Sequence, residues 1–133
     1  MNEREDRMTA SHPPVFVIDD EEPVRLSLAK LLRAMGFPSR VFASAASYLE
    51  SDAIGTDSCL LLDLRMPGMS GIDLLEELQR RDLSAPTIVM TGQTDMQSVQ
   101  RLQAFPLLGF LEKPFSVDQL RELLDRWRTP SPS

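Results

Sequence analysis

The stretch Cys59-Leu60-Leu61-Leu62-Asp63-Leu64-Arg65-Met66-Pro67-Gly68 decides the fold: an unbroken apolar run ends on a carboxylate and passes into a Pro-Gly turn. A run this short, apolar at every position rather than at alternate ones, fits a strand buried on both faces, as in a parallel sheet. Three other runs carry the same punctuation. Val15 to Ile18 is followed by Asp19-Asp20, Ile88 to Met90 by Thr91, and Leu107 to Leu111 by Glu112-Lys113. If the runs are neighbouring parallel strands, their C-terminal ends share one edge, where two adjacent acids, a third acid, a hydroxyl and an ammonium converge. Such a set suits phosphoryl groups and a metal ion.

Between the runs the apolar period switches from strand to helix. The pattern predicts strand 15–19, helix 22–35, strand 39–42, helix 44–51, strand 59–63, helix 70–80, strand 86–91, helix 94–104, strand 107–112 and helix 116–127. Five strand-helix units imply an α/β fold with a mostly parallel sheet, helices on both faces and right-handed crossovers. Val24, Leu28, Leu31, Leu32 and Met35 fall on one helical stripe, and Val117, Leu120, Leu123, Leu124 and Trp127 on another. Gly36 follows the first stripe as a C-cap, and Ser70 and Ser116 precede helices as N-caps. The fourth helix has a thin apolar face: Val99 and Leu102 stand among glutamines, and Phe105-Pro106 stops it.

A chain of 133 residues that is 42% hydrophobic makes one ordinary domain with a real core. Its net charge of -6 opposes nucleic-acid binding, which needs a basic stripe to displace counterions from phosphates. The single cysteine, Cys59, cannot form an internal disulfide and reads as a small buried hydrophobe. No apolar stretch reaches membrane-spanning length, and the charged start is unlike a signal sequence, so the expected compartment is the cytoplasm. Residues 1–13 read as a disordered tail ending at prolines, residues 14–128 as the folded domain, and Thr129-Pro130-Ser131-Pro132-Ser133 as a flexible tail or linker start.

Three carboxylates in contact cannot all stay ionised unless something positive sits among them. A hard cation such as Mg2+, which takes one or two carboxylates, waters and a phosphate oxygen, would resolve this. Asp20 and Asp63 fit as direct ligands, Asp19 behind a water, and the backbone carbonyl of Arg65 completes the set. Each residue also has a plainer reading. Asp19-Asp20-Glu21-Glu22-Pro23 suits a solvated helix start, where acids and an early proline are favoured. Asp63 could make an Asx turn, Thr91 could be ordinary strand, and Lys113 could pair with Glu112 at the surface.

Taken in order, Val17-Ile18-Asp19-Asp20-Glu21-Glu22-Pro23-Val24-Arg25, Leu62-Asp63-Leu64-Arg65-Met66-Pro67-Gly68-Met69-Ser70-Gly71, Met90-Thr91-Gly92 and Phe110-Leu111-Glu112-Lys113-Pro114-Phe115 resemble the receiver domain of two-component response regulators, in its FixJ-like branch. The resemblance runs from about Val15 to Trp127. It implies a doubly wound, flavodoxin-like three-layer sandwich with five helices and strand order 2-1-3-4-5. It implies further that Asp63 accepts a phosphoryl group from a sensor histidine kinase or phosphotransfer protein, with Asp19 and Asp20 in the Mg2+ pocket and Lys113 on the phosphate. Thr91 and Phe110 would carry the switch, as the hydroxyl moves toward the phosphate and the aromatic turns into the space left behind. The output would leave through the helix 4, strand 5, helix 5 face, by homodimerisation or effector docking.

The chain departs from the family pattern in Ala104-Phe105-Pro106-Leu107, where relatives carry a small-residue turn, and in Gly109, where an acid is usual. Phe105 and Leu107 could add apolar surface to the output face, or fill the gap beneath a shortened helix. A haloacid dehalogenase-type phosphatase would also use a strand-end Asp, a Thr, a Lys and Mg2+. It would want an acid two residues after its nucleophile, where Asp63 has Arg65 and Asp19 has Glu21. A receiver that only binds partners, or the receiver part of a DNA-binding transcription regulator, are further alternatives. The favoured expectation is a phosphorylated signalling switch rather than an enzyme.

Overall fold

A computed structural model of the chain describes residues 13–92 and 100–128. Five parallel strands form one sheet in the order β2-β1-β3-β4-β5: β1 Val15–Ile18, β2 Ser39–Phe42, β3 Cys59–Asp63, β4 Thr87–Thr91 and β5 Leu107–Glu112. The helices are α1 Glu22–Ala34, α2 Ala45–Leu49, α3 Gly71–Arg80, α4 at residues 100–102, and α5 Val117–Arg128. The expected doubly wound, flavodoxin-like order is present.

The unbroken apolar runs are explained by two cores, one on each face of the sheet. Phe16, Ile18, Leu60, Leu62 and Val89 point to one side, against Tyr48, Leu74, Leu78 and Leu102 of α2, α3 and α4. Their alternates Val15, Val17, Cys59, Leu61, Ile88 and Met90 point to the other, against Leu28 and Leu32 of α1 and Leu120, Leu123 and Leu124 of α5. Strand residues alternate faces with period two, so only a strand covered on both sides is apolar throughout. Cys59 is fully buried, and burial pushes its thiol up to about 12, as its small-hydrophobe role requires.

The helix ends follow from local chemistry. At the end of α1 the Gly36 amide donates to Arg33 O and the Phe37 amide to Leu32 O, a Schellman closure made possible by the positive φ of Gly36. Ser70 and Asp73 exchange bonds in a capping box at the start of α3, and Ser116 and Gln119 do the same before α5. Trp127 stacks on Phe37 at a centroid distance of 6.1 Å, closing the rim between α5 and α1.

Several sequence boundaries move. Strand 15–19 ends at Ile18 and releases Asp19 into a loop; strand 86–91 starts at Thr87; helix 44–51 is confined to Ala45–Leu49. The other helix bounds shift by a single residue. Of the expected helix 94–104, residues 94–99 lie outside the described residues, 100–102 are helical, and the chain turns at 103–104. Of the tails expected at 1–13 and 129–133, residues 1–12 and 129–133 also lie outside them. Val117 is corrected: it is 41% exposed rather than part of the buried stripe, because the Ser116 cap places it in the first turn, before α5 meets the core. Phe105 and Leu107 are half-buried against the α3-side core, so they fill a gap rather than extend an exposed surface.

Gly109 also finds a physical reason. The β4–β5 register slips between Thr87 and Ile88, which pair with Leu107 and Gly109, leaving Leu108 as a bulge. A Cβ added at Gly109 would lie 2.6 Å from Leu123 Cδ2, so the missing side chain lets α5 close onto β5. Gly109→Ala is expected to lower the unfolding free energy by about 1–3 kcal/mol through overpacking. In a Leu123→Ala background that loss should shrink by more than half in urea denaturation; equal losses in both backgrounds would disconnect Gly109 from α5.

Candidate functional site

The sheet register delivers the acids to one place. Ile18 pairs with Leu62, so Asp19 and Asp63 emerge level with each other, and Asp63 lies opposite Met90. On the far side Thr91 pairs with Glu112, and the Lys113 amide donates to Thr91 O at 2.8 Å. Carboxylate oxygens of Asp19, Asp20 and Asp63 lie within 4.8 Å of one another. Lys113 Nζ reaches into the group, 2.9 Å from Asp19 Oδ2 and 3.5 Å from Asp63 Oδ1. The surface-pair reading of Lys113 with Glu112 gives way to this cross-sheet pairing, among the described residues.

The three acids are not equivalent. Asp19 is fully buried and fixed at four points. Its amide donates to Phe42 O at 3.1 Å, its Oδ1 accepts from the Glu21 amide at 2.9 Å, its Oδ2 accepts from Lys113, and its carbonyl accepts from Arg25 Nη1 at 2.8 Å. Asp20 faces solvent. Asp63 is buried at 5% exposure, and its carboxyl is pushed up to about 6, first by burial and then by the Asp19 charge. Lys113, a hydrogen bond from the Arg65 backbone amide, and a further push from Asp20 complete its surroundings. For Lys113, burial alone would lower the ammonium; the hydrogen bond to Asp19 and the charges of Asp63, Asp19 and Glu21 outweigh it and raise it. Three oxygen-bearing acids around a pocket open at Asp20 can hold a divalent cation.

The remaining residues flank this centre. Thr91 ends β4, half-buried, at the same edge as Asp63. Arg65 follows in the loop, with its side chain exposed. Phe110 pairs with Val89, so it lies on the α3–α4 face of β5, and it is 46% exposed; an ordinary core role is excluded. The Lys113-Pro114 peptide is cis.

Three contributors went unread in the sequence. Glu21 supplies an amide and Arg25 a guanidinium to Asp19. At Gly71 an added Cβ would lie 2.6 Å from Asp63 O and 3.0 Å from Leu64 Cα, while its amide donates to Leu64 O at 3.0 Å. Only glycine lets the first turn of α3 press against the backbone that carries Asp63. The hint was present, since Gly71 directly follows the cap Ser70 and closes the Pro67-Gly68-Met69-Ser70 turn.

Comparison with known proteins places this geometry. The response regulator receiver domain family matches residues 15–125. The chain belongs to that family. It is 42% identical over 102 residues to the transcriptional regulatory protein FixJ of Azorhizobium caulinodans, covering 77% of this chain and 48% of that protein. It is 41% identical to nodulation protein W of Bradyrhizobium diazoefficiens, covering 84% and 48%. The crystal structure of FixJ-N superposes with a TM-score of 0.80 at 34% identity, covering 92% of this chain and 98% of that one. The chain thus spans about half the length of those curated relatives. Receiver domains are signalling domains that work by phosphorylation with histidine kinases or phosphotransfer proteins, not conventional enzymes, so the dehalogenase-type reading falls away. Among the described residues no helix is long and apolar enough to cross a membrane.

The crowding at Asp63 has a sign that stability can read. Its carboxyl holds a proton to about pH 6 when folded, against 3.8 ordinarily, so the buried charge opposes folding above that point and the opposition fades as pH falls from 6 toward 4. At pH 7.5 without divalent cations, Asp63→Asn is expected to raise the unfolding free energy by about 2 kcal/mol. The gain should disappear near pH 4. An unchanged or lowered stability at pH 7.5 would contradict the crowding.

Proposed function

We propose that Asp63 is the phosphoacceptor of this receiver, taking a phosphoryl group from the phosphohistidine of a sensor kinase or phosphotransfer protein with Mg2+ in the acidic pocket. The observation that carries the reading is the junction of Asp19, Asp20 and Asp63 with Lys113 at one sheet edge. The donors fit a hard cation: all are oxygens, and burial beside like charge leaves Asp63 short of positive partners. Asp20 and Asp63 would bind the ion directly. Asp19, whose two oxygens already accept from Glu21 and Lys113, would act through a water. The Arg65 carbonyl would complete the protein's share. The ion neutralises charge on the phosphoryl oxygens when bound.

The residues divide the remaining work. An Asp63 oxygen attacks phosphorus as the bond to the donor's imidazole nitrogen breaks, and the electron pair leaves with the imidazole. Little covalent assistance is required of the protein, because phosphoryl transfer depends mostly on positioning and charge. Lys113, already between Asp19 and Asp63, is placed to pair with a phosphoryl oxygen. Thr91 would offer its hydroxyl to another. These charge-assisted bonds exist only in the phosphorylated form, so they favour one of two packings in which Phe110 turns inward from its exposed position. Residues 14–128 form this unit. Its output leaves through the α4–β5–α5 face toward a second copy or an effector, in the cytoplasm, and the net charge of -6 leaves direct nucleic-acid contact to other molecules. Turnover is slow self-hydrolysis.

Incubation with Mg2+ and acetyl phosphate is expected to give one phosphoryl adduct by intact mass. Asp63→Asn should abolish it, Lys113→Ala should slow its formation or uncouple it from structural change, and Thr91→Ala should keep labelling while blunting the response. Labelling of Asp63→Asn at the wild-type level would place the acceptor elsewhere.

A further inference from the structure

Asp19 can serve the pocket only if the β1–α1 loop holds its shape, and that loop lacks the usual means. Glu21, at the N-cap of α1, makes no side-chain cap hydrogen bond. Order comes instead from Asp19 itself: its Oδ1 holds the Glu21 amide at 2.9 Å, and its carbonyl accepts Nη1 of Arg25 at 2.8 Å. Arg25 lies one turn into α1, its amide donating to Glu21 O at 3.0 Å, and its side chain folds back, partly buried, to the strand end. The guanidinium therefore ties α1 to the backbone of the acid that Lys113 grips on its other side.

We propose that Arg25 is a positioning residue for the cation pocket, acting through the Asp19 carbonyl to hold the Asp19-Asp20 pair against Asp63. It touches neither the ion nor the phosphoryl group. Partners of this outer kind orient the direct ligands, and their loss typically lowers metal affinity about 10- to 100-fold. The inference rests on Mg2+ binding in the acidic pocket.

Charge alone would act in the opposite direction. A cation beside an acidic pocket repels a second cation, so removing the Arg25 charge with no effect on geometry would tighten Mg2+ binding. The two accounts thus differ in sign. Mg2+ affinity measured calorimetrically on the wild-type chain, Arg25→Met and Arg25→Lys separates them, with circular dichroism of each variant to confirm folding. Arg25→Met is expected to bind Mg2+ about tenfold more weakly, and Arg25→Lys, which keeps a donor, to recover most of that loss. Acetyl-phosphate labelling of Arg25→Met should fall at limiting Mg2+ and return at saturating Mg2+. Affinity of Arg25→Met equal to or tighter than wild type would overturn the role of Arg25. Absence of Mg2+ binding by the wild-type chain would instead overturn the pocket on which the inference rests.

Discussion

The mutual repulsion of carboxylates gathered at a buried sheet edge is the constraint on which the molecule turns. Asp19 and Asp63 are withdrawn from water, Asp20 stands beside them, and one lysine reaches in from across the sheet. In the absence of a cation the strain shows as a raised Asp63 proton affinity. Such an arrangement is costly for folding alone, yet it suits the proposed binding of a divalent cation and then a phosphoryl group. Beneath it lie two apolar cores, one on each face of the sheet, whose burial offsets that cost.

The backbone around the site is set by one close approach and by hydrogen bonds to backbone carbonyls. Gly71 lets α3 lie against the Asp63 carbonyl, Arg25 draws α1 back to Asp19, and the Lys113 amide is stitched to Thr91. Each of these fixes a strand end to the element that follows it or lies beside it. Preorganisation of this kind suits transfer chemistry in which positions and charges do most of the work. The exposed Phe110 and the gap-filling Phe105 lie one layer further out, on the side that includes α4.

Much of this was legible in the sequence because strands buried on both faces write themselves as unbroken apolar runs, and a polar residue ending such a run marks the sheet edge. Asp19, Asp20, Asp63, Thr91 and Lys113 were assigned to one edge that way, and the structure brings the three acids and the lysine together. The serine caps at Ser70 and Ser116 were legible for a similar local reason. What escaped depends on distances between elements. Gly109 needs the approach of Leu123 to make sense, and Gly71 needs the Asp63 carbonyl. Arg25 acts on a backbone oxygen six residues back, which no side-chain pattern advertises. Val117 fitted the helical period but lies in the turn before α5 meets the sheet, so periodicity overstated its burial.

The most direct measurement follows the Asp63 side-chain carboxyl by NMR as pH is varied, with and without saturating Mg2+. Without the ion its midpoint should lie near 6, and with the ion it should fall below the usual carboxylate range as the cation takes the proton's place. A midpoint of ordinary value that Mg2+ leaves unmoved would mean that the acids do not crowd one another around an ion, and the account of the site would fail.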